Sequence, residues 1–372
     1  MADGYASPAD GKVGQVTIKV VGCGGGGSNA VTRMYRDPIQ DVEYVTLNTD
    51  HQALTRSEVP TRLRIGDRTA RGLGVGGDPD RGRECAEESR EEVKSILQGA
   101  DLVFIAAGMG GGTGTGSAPV VAEVAREMGA LTVGVVTKPF AFEGNRRMKQ
   151  AQDGISKLEK FVDTLIVIPN DRLLAMATER LTMEMSFRMA DDVLRQAIQA
   201  IAELITVPGE INLDFADVKA VMKNSGPAWL AIGRGSGPDR AVMAAETAIS
   251  SPLLEVSMSG ARGIIFNITG GQDLTLQEVN EASEVIRREA DPEANIIFGQ
   301  AYDPKMENEV KITLIATGFP SAQSVPHEDA MKAALSEALT NEETLDLPPF
   351  LRHNPAAARR RMANGAGFLN GR

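Results

Sequence analysis

"GMGGGTGTGSAP", residues 108–119, places six glycines in the nine positions from Gly108 to Gly116. Ordering that many glycines costs a great deal of unfolded-state entropy. Something must therefore come too close to this backbone for side chains. The preceding stretch, DLVFIAAG (101–108), reads as a buried strand. The following one, APVVAEVAREMG (118–129), reads as a helix with Val120, Val121, Val124 and Met128 on one face. A glycine turn between a strand and a helix is where open α/β sheets bind ligands. Backbone N–H groups there converge on an anion, and the helix N-terminus adds positive dipole. A phosphate chain is the expected guest; a tight turn without a ligand is the plainer alternative. The turn is not a GxxxxGK[ST] loop, because no lysine lies between Leu102 and Lys138. Backbone N–H groups, threonine hydroxyls and Mg²⁺ would then have to carry the charge.

Working outward, strands alternate with helices. VTIKVVG (16–22), VEYVTLNTD (42–50), LTVGVVTKP (131–139) and DTLIVIPN (163–170) read as strands. Helices are expected from SNAVTRMY (28–35), REEVKSIL (90–97) and residues 144–160. That order argues for a parallel, doubly wound sheet. A long helix over 184–206 keeps helical period through Phe187, Leu194, Ile198, Ile201 and Ile205. Beyond it lies a second α/β region with helices near 215–223, 239–249 and 274–290. Its strands are RGIIFNIT (262–269), ANIIFGQAYD and EVKITLIATG, dense enough to suggest a mixed sheet. The resulting division is a disordered N-terminus (1–14), a first domain (15–183), the central helix (184–206) and a second domain (207–319). A linker (320–344), an apolar island, LDLPPFL, within 345–352, and a basic tail (353–372) follow.

Composition narrows the function. The 372 residues are 42% hydrophobic but only 4% aromatic, so Val, Ile, Leu, Met and Ala must supply the core. A net charge of −11 argues against nucleic acid or an anionic membrane as partner. Cys23 and Cys85 show no zinc spacing and suggest no disulfide framework, and the three histidines form no cluster. No apolar run approaches the ~20 residues that span a bilayer. A cytoplasmic protein is expected. The first loop, GCGGGGSN (22–29), fits GxGxxG at Gly22, Gly24 and Gly27, which raises a dinucleotide-dependent oxidoreductase as a rival. Such a site needs one glycine loop, not two, and no hydride-transfer constellation is evident. Cys23 reads as a small packed residue, since nothing basic lies beside it.

The motifs VGCGGGGSNAV, LNTD, GLGVGGDP, GMGGGTGTG, KPFAFEG, IPNDRLL, NLDFADV, SSPLLE, NITGG and LDLPPFL, in this order, resemble those of the tubulin/FtsZ superfamily. The likeness to its bacterial cell-division GTPases runs over about residues 14–319. It implies a GTP-binding α/β domain, a long central helix and a smaller α/β domain. By the same resemblance, Gly25, Gly26, Gly27, Ser28 and Asn29 cradle phosphates with Gly110, Gly111, Gly112, Thr113, Gly114, Thr115 and Gly116. Gly76, Gly77 and Asp78 lie near the γ-phosphate, where the family commonly has Asn in place of Asp78. Glu143 and Arg147 match its ribose- and nucleotide-contacting pair, although their i,i+4 spacing equally suits a helix salt bridge. Asn29, Asn170 and Asp191 match positions around guanine, with Phe187 on the same helix face as Asp191; by itself Phe187 reads as core. Asp191 would accept from guanine N1–H and N2–H₂, a donor pair that adenine lacks.

Asp214 and Asp217, in INLDFADVKAVM (211–222), sit at i,i+3 where a helix begins, so capping explains them locally. The resemblance instead has Asn212, Asp214 and Asp217 complete the active site of the next subunit, orienting water and helping to hold Mg²⁺. It implies head-to-tail homopolymers, GTP/GDP as the nucleotide and a mid-cell division site. It also implies a partner peptide, Leu347, Pro348, Pro349, Phe350 and Leu351, read by tethers such as FtsA, SepF or ZipA. Glu210 stands where the family usually has an apolar residue. The alternative within the family is a divergent scaffold with little or no GTPase activity.

Overall fold

Ile18–Cys23 (β1) alternates side chains between two helical layers, as a strand of period 2 must when both faces are covered. Ile18 and Val20 join one core cluster, and Val21 and Cys23 the other. In the computed structural model, which describes residues 16–176, 182–206, 214–253, 258–304 and 306–319, β1 is the hub of a ten-stranded sheet. The chain continues through Gly24–Arg36 (α1), Val42–Asn48 (β2), His51–Arg56 (α2), Thr61–Arg64 (β3), Pro79–Glu88 (α3) and Arg90–Leu97 (α4). Next come Leu102–Gly108 (β4), Thr113–Glu127 (α5), Leu131–Lys138 (β5), Asn145–Leu158 (α6), Thr164–Pro169 (β6) and Asn170–Met176 (α7). The long helix is Met183–Thr206 (α8). Then follow Phe215–Met222 (α9), Gly226–Ser236 (β7), Arg240–Ile249 (α10), Gly263–Gly270 (β8), Leu276–Glu289 (α11), Asn295–Tyr302 (β9) and Glu309–Thr317 (β10).

The strand order is β3-β2-β1-β4-β5-β6-β7-β10-β8-β9. It is parallel from β3 through β7; β10 then runs antiparallel to both β7 and β8, and β9 returns parallel to β8. One sheet thus runs unbroken through both α/β regions. Its joint is short: β6 meets β7 over Thr164–Gly226, Leu165–Pro227 and Ile166–Ala228.

Helices α1, α8 and α9 cover one face through Met34, Ile198 and Val218, and α3, α4, α5 and α6 cover the other through Cys85, Val93, Val121 and Ala151. A third cluster, with Ala244, Phe266 and Ile286, packs α10 and α11 on the C-terminal strands. No helix among the described residues is long and apolar enough to cross a membrane. The N-terminal segment, Glu210, Asn212 and the segments at 320–344, 345–352 and 353–372 lie outside the described residues.

Candidate functional site

The C-terminal ends of β1, β4, β5 and β6 open onto a cleft of about 260 Å³. The start of α1 brings Gly25 and Gly26, the turn after β4 brings Gly111 and Gly112, and the start of α5 brings Thr113 and Gly114. Thr137 lies near the end of β5 and Pro139 follows it, Asn170 follows β6, and Phe187, Ala190, Asp191 and Leu194 line the wall from α8. Sequence reasoning missed Thr137, Pro139, Ala190 and Leu194. The last two were findable, since i+3 and i+7 from Phe187 fall on the same helix face.

The glycines serve two different purposes. A Cβ on Gly25 would meet nothing within 4 Å, and one on Gly111 would just touch Arg147 at 4.0 Å. These two leave room for a ligand. Elsewhere the close neighbour is the protein itself. A Cβ on Gly27 would lie 2.2 Å from Ala106 O, and one on Gly116 would lie 2.1 Å from Pro79 O. Gly110 takes φ 94° against the Arg147 carbonyl and donates its N–H to Thr115 Oγ1 at 2.8 Å. Gly27, Ser28, Thr115 and Gly116 therefore back the cleft and do not line it. Ser28 and Thr115 are buried, and Thr115 and Gly116 face a second hollow of about 260 Å³ between α3, α5 and α6. Asn29, Gly76, Gly77 and Asp78 are exposed outside the lining. Asp78 is turned to its own helix, where its carboxylate accepts from the Asp80 and Arg81 N–H groups.

The polar groups of the cleft are unevenly satisfied. Glu143 accepts from Phe140 N–H at 2.9 Å and pairs with Arg147 at 2.7 Å. The spacing thus yields both a salt bridge and a cleft wall. Asn170 is buried, and its Oδ1 has no protein partner. An orphaned buried acceptor costs about 1–3 kcal/mol unless a ligand or water meets it. Burial pushes the Asp191 carboxyl up to about 6, with Arg33 opposing the rise. Arg33 Nη1 lies 2.8 Å from Asp191 Oδ2 as an ion pair without hydrogen-bond alignment. Phe187 is 38% exposed, so it is not simple core, and it stands edge-on to Phe140 at 5.5 Å. The cleft therefore offers an aromatic face, two acceptors and an uncluttered glycine floor, which fits a purine nucleotide. Cys23 is buried, and burial pushes its thiol up to about 12, as for a packed residue.

The carboxylates at 214 and 217 lie elsewhere. Asp214 occupies the N-cap of α9 but makes no capping hydrogen bond, and both side chains are exposed. The C-terminal end of α9 is tied to the start of β6, where Thr164 Oγ1 donates to Met222 O at 2.5 Å. The cleft sits at the other end of β6. Five residue steps of a strand separate the two ends, roughly 17 Å. Among the described residues no three His, Cys, Asp or Glu side chains gather to hold a metal.

Residues 17–178 match the tubulin/FtsZ family GTPase domain, and residues 226–320 match the FtsZ family C-terminal domain. This chain belongs to the tubulin/FtsZ family. FtsZ from M. jannaschii, solved as an empty dimer, is 46% identical; the match covers 82% of this chain and 89% of that one, with a TM-score of 0.80. CetZ2 from Haloferax volcanii, solved as a GTPγS-bound protofilament, shares the fold at 21% identity, covering 87% of this chain and 100% of that one with a TM-score of 0.70. The parallel sheet, long helix and mixed C-terminal sheet expected from the sequence are those of an FtsZ, a tubulin-like GTPase. The oxidoreductase alternative does not survive that membership.

Proposed function

We propose that this chain binds GTP and GDP in the cleft, assembles head to tail into filaments of the division ring, and hydrolyses GTP where two copies meet. One observation carries the reading. A cleft with an orphaned acceptor lies at one end of β6, and α9, whose first turn carries two exposed carboxylates outside that cleft, is tied by its C-terminal end to the other. Neither half is complete alone. A contact between opposite ends is heterologous and need not close, so it can generate filaments. The 46%-identical FtsZ solved as a dimer supports self-association.

In this reading the phosphates lie against Gly25, Gly26, Gly110, Gly111, Gly112, Thr113 and Gly114, with Gly27, Ser28, Thr115 and Gly116 bracing that wall. Gly76, Gly77 and Asp78 flank the terminal phosphate. Glu143 and Arg147 take the ribose side, and Phe187 stacks on the base. Asn29, Asn170 and Asp191 surround guanine. Asp214 and Asp217 of the neighbouring copy orient and polarise the attacking water, supported by Asn212. Mg²⁺, held through the phosphates with help from those carboxylates, supplies charge neutralisation. Phosphoryl transfer needs such positioning and neutralisation more than covalent chemistry. The peptide at 345–351 would recruit membrane tethers such as FtsA, SepF or ZipA at a cytoplasmic mid-cell site.

Mixing two inactive variants tests the shared site. Asp217→Ala keeps its cleft but lacks a sound acidic end. Thr113→Trp blocks its cleft but keeps Asp217. Each alone should release no phosphate from GTP, and the mixture should recover part of the activity, more so at higher concentration. A lone Asp217→Ala protein working at the wild-type rate would remove the proposed role. So would a wild-type rate per molecule that stays flat at concentrations where nothing sediments.

A further inference from the structure

Thr49 follows β2 and is fully buried, yet its hydroxyl reaches the cleft wall. Its Oγ1 lies 2.6 Å from Thr113 Oγ1, across 64 residues of sequence. The backbone of Thr49 is fixed on both sides. Its N–H donates to Asn48 Oδ1 at 2.9 Å, and its carbonyl accepts from Gly74 N–H at 3.2 Å. Thr113 is held as firmly, because Ser117 Oγ donates to its carbonyl at 2.7 Å. The two hydroxyls thus face each other with little freedom.

Two hydroxyls in contact share one hydrogen bond, and its direction decides what the second proton does. If Thr113 donates to Thr49, only lone pairs remain for the cleft. If Thr49 donates to Thr113, the Thr113 proton is free to point into the cleft. An anion in the cleft favours the second arrangement, since a chain of donors ending on a charge is strengthened along its length. We infer that Thr49 is a positioning residue for nucleotide binding: its buried hydroxyl donates to Thr113 Oγ1 and turns the Thr113 proton toward a phosphate oxygen. The inference rests on the nucleotide reading of the cleft. It gives a role to a residue that lines no part of the cleft itself.

A double-mutant cycle tests it, reading the Kd of a non-hydrolysable GTP analogue at protein concentrations below assembly. Thr49→Val keeps the shape of the side chain and removes the hydroxyl. Affinity should fall about tenfold, the scale of one charge-assisted hydrogen bond weakened. Thr49→Ser, which keeps the hydroxyl, should stay within about twofold of wild type. In a Thr113→Val background, Thr49→Val should cost nothing further, because the group it positions is gone. Unchanged affinity in Thr49→Val overturns the inference. So does an equal loss in Thr49→Ser, or the same loss repeated in the Thr113→Val background; either would make Thr49 a packing residue. If Thr49→Val does not fold, the serine variant at wild-type affinity and Thr113→Val with about a tenfold loss are both required, and failure of either overturns it. Wild-type protein that binds no analogue refutes the nucleotide reading itself, and this inference with it.

Discussion

If Asp191 reads guanine as proposed, recognition should depend on pH in a range where most carboxylates are silent. Burial lifts its carboxyl from 3.8 to about 6. Only the ionised form accepts both guanine donors. At pH 5, about one molecule in eleven carries that charge, so affinity for GDP should lie about tenfold below its neutral plateau. Each further unit of acid costs about another factor of ten. Bound guanine favours the charged form, so the midpoint in the complex should move below that of the empty protein. In the empty protein the sign is the reverse of a salt-bridged carboxylate. The contribution of Asp191 to stability is full below 3.8 and is lost as pH rises through about 6. Protons and nucleotide therefore compete for this side chain. Asp191→Asn offers one acceptor and one donor, and the donor meets a guanine donor. That mismatch should cost about 1–3 kcal/mol, and the pH dependence between 5 and 7 should flatten. Xanthine presents one donor and one acceptor along the same edge, so the Asn variant should prefer xanthosine diphosphate. Calorimetric titration of both proteins with both diphosphates from pH 5 to 8 measures all of this. An Asp191→Asn protein that binds GDP as wild type does, or that keeps the wild-type pH curve, would refute the reasoning.

Arg33→Ala removes the charge that holds Asp191 down, so the midpoint of the same binding curve should move above that of wild type. Gly25→Ala and Gly27→Ala should separate ligand space from packing space. The first should keep its urea midpoint and lose nucleotide affinity. The second should lose about 3 kcal/mol of stability as its methyl meets the Ala106 carbonyl. Arg240→Ala should lower the urea midpoint more than Glu278→Gln does, yet leave GDP affinity within about twofold. The buried guanidinium bonds both Asp273 and Glu278, none of the three lines the cleft, and its loss leaves two carboxylates uncompensated.

Much of this was legible because local signals and the fold agreed. DLVFIAAG, the glycine turn and the long helix each appear close to where their patterns put them. What stayed hidden was set by distant contacts. The strand GPAWLAIGRGS (226–236) carries Pro227 and three glycines, a poor strand sequence by propensity. Gly233 and Gly235 are small because α10 lies against them: their Cβ atoms would come 1.9 Å from Ala244 O and 2.0 Å from Arg240 O. Helix α3 was hidden for a similar reason, since a Cβ on Gly82 would lie 2.4 Å from the Gly112 carbonyl oxygen. In the site, the family resemblance pointed to Asn170, Phe187 and Asp191, and the structure brings all three to one cleft. It could not show that Thr115 turns inward or that Arg33 meets Asp191, because both depend on which helices lie side by side.

The bonds within the protein that hold the glycine turn have a kinetic meaning. Thr115 fastens Gly110, and Ser117 fastens the Thr113 carbonyl. The cradle is thus assembled when the chain folds, and an arriving nucleotide need not wait for a loop to order. Capture by such a preformed site is limited by encounter and orientation, with little ordering entropy left to lose. Residence time then becomes the adjustable quantity. For an isolated molecule it is set by how well the base and phosphates are gripped. In the proposed filament, where a second molecule would cover the mouth of the cleft, it would be set by how long that neighbour stays.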